Sequence, residues 1–234
     1  MATYVLLHGA FHGGWAWRPV AARLQSVGHS VLSPTMPGIN DGDDPVGYTL
    51  EDCWKAVAKL IVDHDLHDVR LVAHTWGACV ALGAVQLVPE RIGMFAPFSS
   101  CIPSDTSLLS ETHEDHQRMF RAEAAASPNN TVTLPFDAWT RDFIQDGSPS
   151  VQKLTHELLS PQPLQYFDHA VPALDAATVP FEIRYILADD DLSAPRDTYL
   201  AWCARLGCTP IPTLGGHEAM LTQPDALAEV LLSL

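Results

Sequence analysis

The chain has 234 residues, 47% of them hydrophobic, which suits one domain with a sizeable core. Its formal net charge is −15 with no cluster of Lys or Arg, which argues against nucleic acid and anionic membranes as partners and weakly repels anionic substrates. No apolar run reaches the length of a membrane span, and Cys53, Cys79, Cys101, Cys203 and Cys208, an odd set without zinc spacing, predict free thiols and a cytoplasmic protein.

Residues 3–8 read as a buried strand, close enough to the N-terminus that no signal peptide is expected. It runs into His8-Gly9-Ala10-Phe11-His12-Gly13-Gly14-Trp15, where glycines let backbone approach a ligand. A helix over about 18–27 begins Arg-Pro and stops at Gly28. Strand 30–33 and a Pro/Gly/Asp loop at 34–47 follow. That loop holds Asp41-Gly42-Asp43-Asp44, but the sixth and twelfth positions from Asp41 are Val46 and Asp52, so it fails as a calcium loop and reads as an acidic turn. A helix over about 49–64 has Thr49 as N-cap and Asp52 three residues on.

Next comes Val69-Arg70-Leu71-Val72-Ala73-His74-Thr75-Trp76-Gly77-Ala78-Cys79. It is a strand, a very tight corner and a helix reaching about residue 87, with Cys79 as a small core residue. Such a corner strains its central residue, here Thr75, and needs small neighbours; Ala73 and Gly77 supply them. Strand 93–99 follows. Over about 100–178 the strand–helix alternation stops, and prolines, serines and polar helical fragments predict a mostly helical lid insertion. His113 and His116 lie in it at a spacing unlike His-Glu-x-x-His, so an exposed polar helix is expected and no metal site. Strand 181–188, helix 195–206, strand 208–213, a Gly-Gly-His turn at 215–217 and helix 221–234 complete the chain. The pattern predicts a single domain over 1–234, an α/β fold with a doubly wound, mainly parallel sheet.

A hydroxyl at such a corner needs a base, and the base needs an orienting acid. His217 is the candidate base, freed by Gly215 and Gly216. Asp189, Asp190 and Asp191 follow a predicted strand, with Asp191 nearest the next helix. Both sites fall at the carboxyl edge of the sheet, where open α/β folds bind ligands.

These motifs resemble the small α/β-hydrolases that include plant methylesterases, hydroxynitrile lyases and their bacterial esterase relatives. The likeness runs nearly end to end, and Leu158-Leu159-Ser160-Pro161-Gln162-Pro163-Leu164 resembles the bacterial branch. The resemblance implies a Thr75–His217–Asp191 triad, with Thr75 where the family carries serine, and an oxyanion hole from the backbone N–H groups of Ala10 and Trp76. Phe11, Trp15, Trp76 and Met220 would line an apolar pocket with the lid. Glu218 stands where cyanogenic members carry lysine, which disfavours cyanide release. No cofactor is implied, and the expected partner is a small-molecule substrate, an ester or lactone of an apolar metabolite. A lyase, cyclisation or elimination enzyme using His217 as base, with Thr75 as proton relay, stays open, as does a silent binding protein.

Overall fold

Burial on both sides of the first strand sets the architecture. In β1 (Thr3–Leu7), Val5 and Leu7 enter one core cluster and Tyr4 and Leu6 another, so both faces of the sheet are covered. The computed structural model describes residues 1–40 and 42–234; Asp41, the first residue of the acidic turn, lies outside them. Asp43 and Asp44 spend their carboxylates on that turn, accepting from the Gly38 and Val46 amides.

The other main strands are β2 (Ser30–Leu32), β3 (Val69–His74), β4 (Ile92–Phe98), β5 (Glu182–Ile183), β6 (Ile186–Ala188) and β7 (Ile211–Thr213). They form a seven-stranded sheet in the order β7-β6-β4-β3-β1-β2, with β5 beside β4, and every pairing is parallel. Helices α1 (Arg18–Ser26) and Pro224–Ser233 cover the Tyr4 face. Helices α2 (Leu50–Asp63), α3 (Gly77–Leu87) and Arg196–Arg205 cover the Val5 face. The sheet is therefore doubly wound. Thr49 and Asp52 form a reciprocal capping box at the start of α2.

Two expected elements are broken, each at a proline. The strand expected over 181–188 is split into β5 and β6. Both keep one register on β4, Met94 opposite Glu182 and Phe98 opposite Ile186. Pro97 lies between, on the side of β4 that faces this strand, and has no N–H to give. The helix expected over 221–234 is split into Ala219–Thr222 and Pro224–Ser233, because the residue before a proline resists the helical conformation; Gln223 sits at φ −133°.

The chain leaves the sheet after β4 and returns at β5. The excursion carries helices Glu114–Ala126 and Pro149–Glu157 and a π-helical turn at Trp139–Phe143. Two short antiparallel pairs, Thr106–Ser107 with Ala170–Val171 and Thr131–Val132 with Gln162–Pro163, were not expected. His113 caps its helix through the Asp115 amide, and both His113 and His116 are exposed. All five cysteines are free, with Cys79 buried on α3. Among the described residues no helix is long and apolar enough to cross a membrane.

Candidate active site

The chain turns from β3 into α3 through Thr75, which holds φ +45° while its amide bonds the Phe98 carbonyl at 3.2 Å. A β-branched residue in this left-handed region is strained. The crowding that demands small neighbours is direct. A Cβ on Gly77 would lie 2.6 Å from the His8 carbonyl oxygen, and one on Gly9 only 2.4 Å from the Thr75 Cγ2. The Thr75 methyl is therefore turned toward Gly9, and the hydroxyl occupies another arm of Cβ. Thr75 is half-buried, while His74 and Trp76 on either side are fully buried.

His217 follows β7 and is buried. Its Nδ1 lies 2.8 Å from Asp191 Oδ2, so this nitrogen carries the proton and Nε2 bears the lone pair. The Ser193 amide and hydroxyl both reach Asp191 Oδ1 at 2.9 Å, and Tyr199 bonds the Ser193 hydroxyl at 2.7 Å. Burial would raise the Asp191 pKa, but the His217 charge and hydrogen bonds hold it well below the usual carboxylate range. Burial would likewise depress His217, but the Asp191 carboxylate outweighs it and the imidazole is more basic than usual. His217 Nε2 is buried without a hydrogen-bond partner among the described residues, so it does not bond the Thr75 hydroxyl. Asp189 and Asp190 are exposed; their amides donate to the Thr213 and Gly215 carbonyls, and the Asp190 carbonyl accepts from Gln145 Nε2 at 2.6 Å.

Buried histidines brace this centre. His74, the last residue of β3, donates Nε2–H to the His217 carbonyl at 3.0 Å. Burial lowers its pKa to about 3, so it stays neutral. His8 donates Nδ1–H to the Gly9 carbonyl at 2.8 Å and accepts the Met36 amide at Nε2, with burial lowering its pKa to about 4. The Gly9 carbonyl and the Ala10 N–H share one peptide plane, so His8 fixes the direction of that N–H. The N–H groups of Ala10 and Trp76 make no hydrogen bond among the described residues. Trp76 precedes α3, where the helix dipole favours negative charge.

The expected pocket residues divide between the two faces. Phe11 packs in the Val5-face core with Trp76, its ring tilted against Phe167 of the insertion at 5.6 Å. Trp15 and Met220 instead belong to the Tyr4-face core, because their chain segments pass to the other side of the sheet. From the insertion, Phe143 sets its edge on the His217 ring at 5.3 Å and Trp139 packs near His12 at 5.5 Å. Asp146 accepts from the Gly216 amide at 3.0 Å and the Thr222 hydroxyl at 2.7 Å, pinning the base loop. His74, His217 and Glu218 offer potential metal-ligand atoms within 4.8 Å of one another. However, His217 Nδ1 is committed to Asp191 and His74 Nε2 to a carbonyl.

Ser193, Tyr199, Asp146, Gln162 and His12 are not singled out by the sequence as site residues. Ser193, two residues past Asp191, was within reach of a spacing argument. Asp146 and Gln162 have partners distant in the chain, and His12 meets Glu218 only through the fold.

Hydroxyl after β3, carboxylate after β6 and imidazole after β7 follow one another in the chain order of an α/β-hydrolase, all at the carboxyl edge of a parallel sheet. The chain belongs to the alpha/beta hydrolase family, whose profile matches residues 4–230. It is 28% identical to a carbendazim hydrolyzing esterase of Nocardioides sp. (strain SG-4G) over 100% of both chains. It is 26% identical to methylesterase 4 of Arabidopsis thaliana over 99% of this chain and 95% of that one. Among solved structures, an extracellular α/β-hydrolase from a Paenibacillus species superposes with a TM-score of 0.93 at 26% identity, covering 100% of this chain and 98% of that one.

Proposed function

We propose that the protein hydrolyses an ester or lactone of an apolar, uncharged small molecule. Thr75 Oγ1 attacks the carbonyl carbon as His217 Nε2 takes its proton, and Asp191 stabilises the imidazolium. The oxyanion lies against the N–H groups of Ala10 and Trp76. His217 then protonates the leaving alcohol, and a water activated by the same base hydrolyses the threonyl ester. The observation that carries the reading is the buried His217–Asp191 pair, 2.8 Å apart, with Nε2 unpartnered among the described residues. The esterase names of the full-length relatives support the reaction type, and the charge of −15 supports an uncharged substrate.

A second reading is favoured by the missing bond between His217 Nε2 and the Thr75 hydroxyl. There His217 removes a proton from the substrate itself in a lyase, cyclisation or elimination, and Thr75 orients the substrate or relays a proton. Turnover of Thr75→Ser and Thr75→Ala on a panel of activated esters separates the two. Hydrolysis predicts that serine keeps or raises kcat/KM, while alanine lowers it by on the order of 10³-fold or more. Appreciable ester turnover by the alanine variant excludes a nucleophilic Thr75.

A further inference from the structure

Phe11, the residue after the proposed oxyanion donor Ala10, holds φ +66°. A bulky residue there is strained, and rotating the Ala10–Phe11 peptide plane would relieve it. That plane is gripped at both ends by buried side chains. The Ala10 carbonyl accepts Nδ1–H of His12 at 2.6 Å. The Phe11 N–H donates to Oε1 of Gln162 at 2.6 Å. The Phe11 carbonyl, one bond further, accepts the Ser160 amide at 2.8 Å. Ser160 and Gln162 are the Ser-Pro-Gln segment of the insertion, to which the proposed reaction gives no other role.

His12 is itself held. With Nδ1 donating, its Nε2 faces Glu218 Oε2 at 3.2 Å, and both residues are buried. The contact is one of distance and charge: neither atom makes a hydrogen bond of standard geometry among the described residues. Burial alone would raise the Glu218 pKa, but the neighbouring imidazoles, His12 foremost, hold it at about 2. The Glu218 carboxylate is therefore ionised beside the His12 ring. Glu218 directly follows His217, so the contact joins the loop of the base to the loop of the oxyanion donor.

We propose that Gln162, His12 and Glu218 are positioning residues that clamp the Ala10–Phe11 peptide and so keep the Ala10 N–H aimed at the developing oxyanion. Gln162 fixes the N–H end, His12 fixes the carbonyl end, and Glu218 fixes His12. Released, the plane turns to relax Phe11, and the Ala10 N–H in the preceding peptide plane is then held by the His8 brace alone. The role of the clamp in catalysis rests on the hydrolytic reading above; the clamp itself does not.

Two measurements test it on the full chain. The first is amide hydrogen exchange at Phe11, which involves no chemistry on a substrate. Phe11 is protected in the parent and in Gln162→Glu, which keeps an acceptor, and loses at least tenfold protection in Gln162→Leu. Equal protection in all three overturns the clamp. The second is p-nitrophenyl butyrate hydrolysis beside inhibition by a trifluoromethyl ketone, whose adduct carries an oxyanion. Gln162→Leu and Glu218→Gln lower kcat by ten- to a hundredfold with KM within twofold. Each weakens the ketone by the same factor, and Gln162→Glu recovers most of the loss. A loss confined to KM, or a ketone affinity that does not follow kcat, overturns the positioning role. Full ester turnover by Thr75→Ala sinks the hydrolytic reading and leaves the exchange result to decide the clamp.

Discussion

At the scale of single residues, the corner is a negotiation between one methyl group and one missing one. The Thr75 methyl fills the space that a Cβ on Gly9 would need, and His74 Nδ1 stands 2.7 Å from the same point. Gly9→Ala is therefore expected to overpack the site by about 1–3 kcal/mol and to lower activity. Adding Thr75→Ser removes the methyl and leaves the His74 contact, so the double variant recovers part of the loss in both Tm and kcat/KM. Additive losses would show that Gly9 and Thr75 do not share this space. His217 gives a second residue-level test. A general base works only when neutral, and Asp191 makes this one harder to deprotonate. The acid limb of kcat/KM should then fall above the ordinary histidine value of about 6.5. Asp191→Asn, which removes the charge, should drop the rate steeply and leave the limb near or below that value. The sequence exposed Thr75, His217 and Asp191 because each follows a strand in a recognisable loop. It hid His12 and Gln162, which gain meaning only through the two ends of one peptide plane, 151 positions apart in the case of Gln162 and Phe11.

At the scale of elements, what was legible was what local chemistry decides alone. The Thr49 capping box was written in two residues at the correct spacing, and it forms as expected. Thr49→Ala should cost about 1 kcal/mol, read as a lower urea midpoint, with kcat/KM unchanged because α2 contributes nothing to the site. Packing between helices is the opposite case. A Cβ on Gly83 in α3 would lie 2.0 Å from the Trp54 ring of α2, whose indole N–H donates to the Cys79 carbonyl. Nothing in the sequence around Gly83 marks it as a contact, since the pair is fixed by how two helices meet. The split strand at β5 and β6 failed for a related reason: the residue that interrupts it, Pro97, belongs to a different strand. The insertion was the least legible element. Its short strand pairs join residues far apart in sequence, and its grip on the site combines the polar contacts of Asp146, Ser160 and Gln162 with the rings of Trp139, Phe143 and Phe167.

At the scale of the whole molecule, a set of buried titratable groups ties the fold to pH. His8 and His74 are neutral when folded, with pKa values of about 4 and about 3, and would take up protons near 6.5 once unfolded. The unfolded chain thus binds more protons between those limits, and stability must rise with pH across that window. Each histidine loses on the order of 3 kcal/mol of stabilisation by pH 4, since every tenfold fall in proton affinity is worth about 1.4 kcal/mol, against a usual total of about 5–15 kcal/mol. Asp191 and Glu218 act in the same direction lower down: their stabilisation is present above the ordinary carboxylate range and is lost as pH falls through their depressed folded values. His217 has the opposite sign, because its raised pKa stabilises below 6.5 and that contribution fades as pH rises through the folded value. Two depressed imidazoles outweigh one raised one, so the urea midpoint should fall continuously from pH 6.5 to pH 4 while kcat/KM declines over the same range for a separate reason, protonation of the base. The two are distinguishable, since the kinetic loss reverses at once on returning to neutral pH and the loss of structure shows in near-UV circular dichroism. A urea midpoint that stays flat from pH 7 to pH 4.5 would mean that His8 and His74 accept protons in the folded state. The hydrogen bonds that fix the Gly9 and His217 carbonyls do not forbid that, but the one that Met36 donates to His8 does, so the same result would also remove the brace behind the Ala10 N–H.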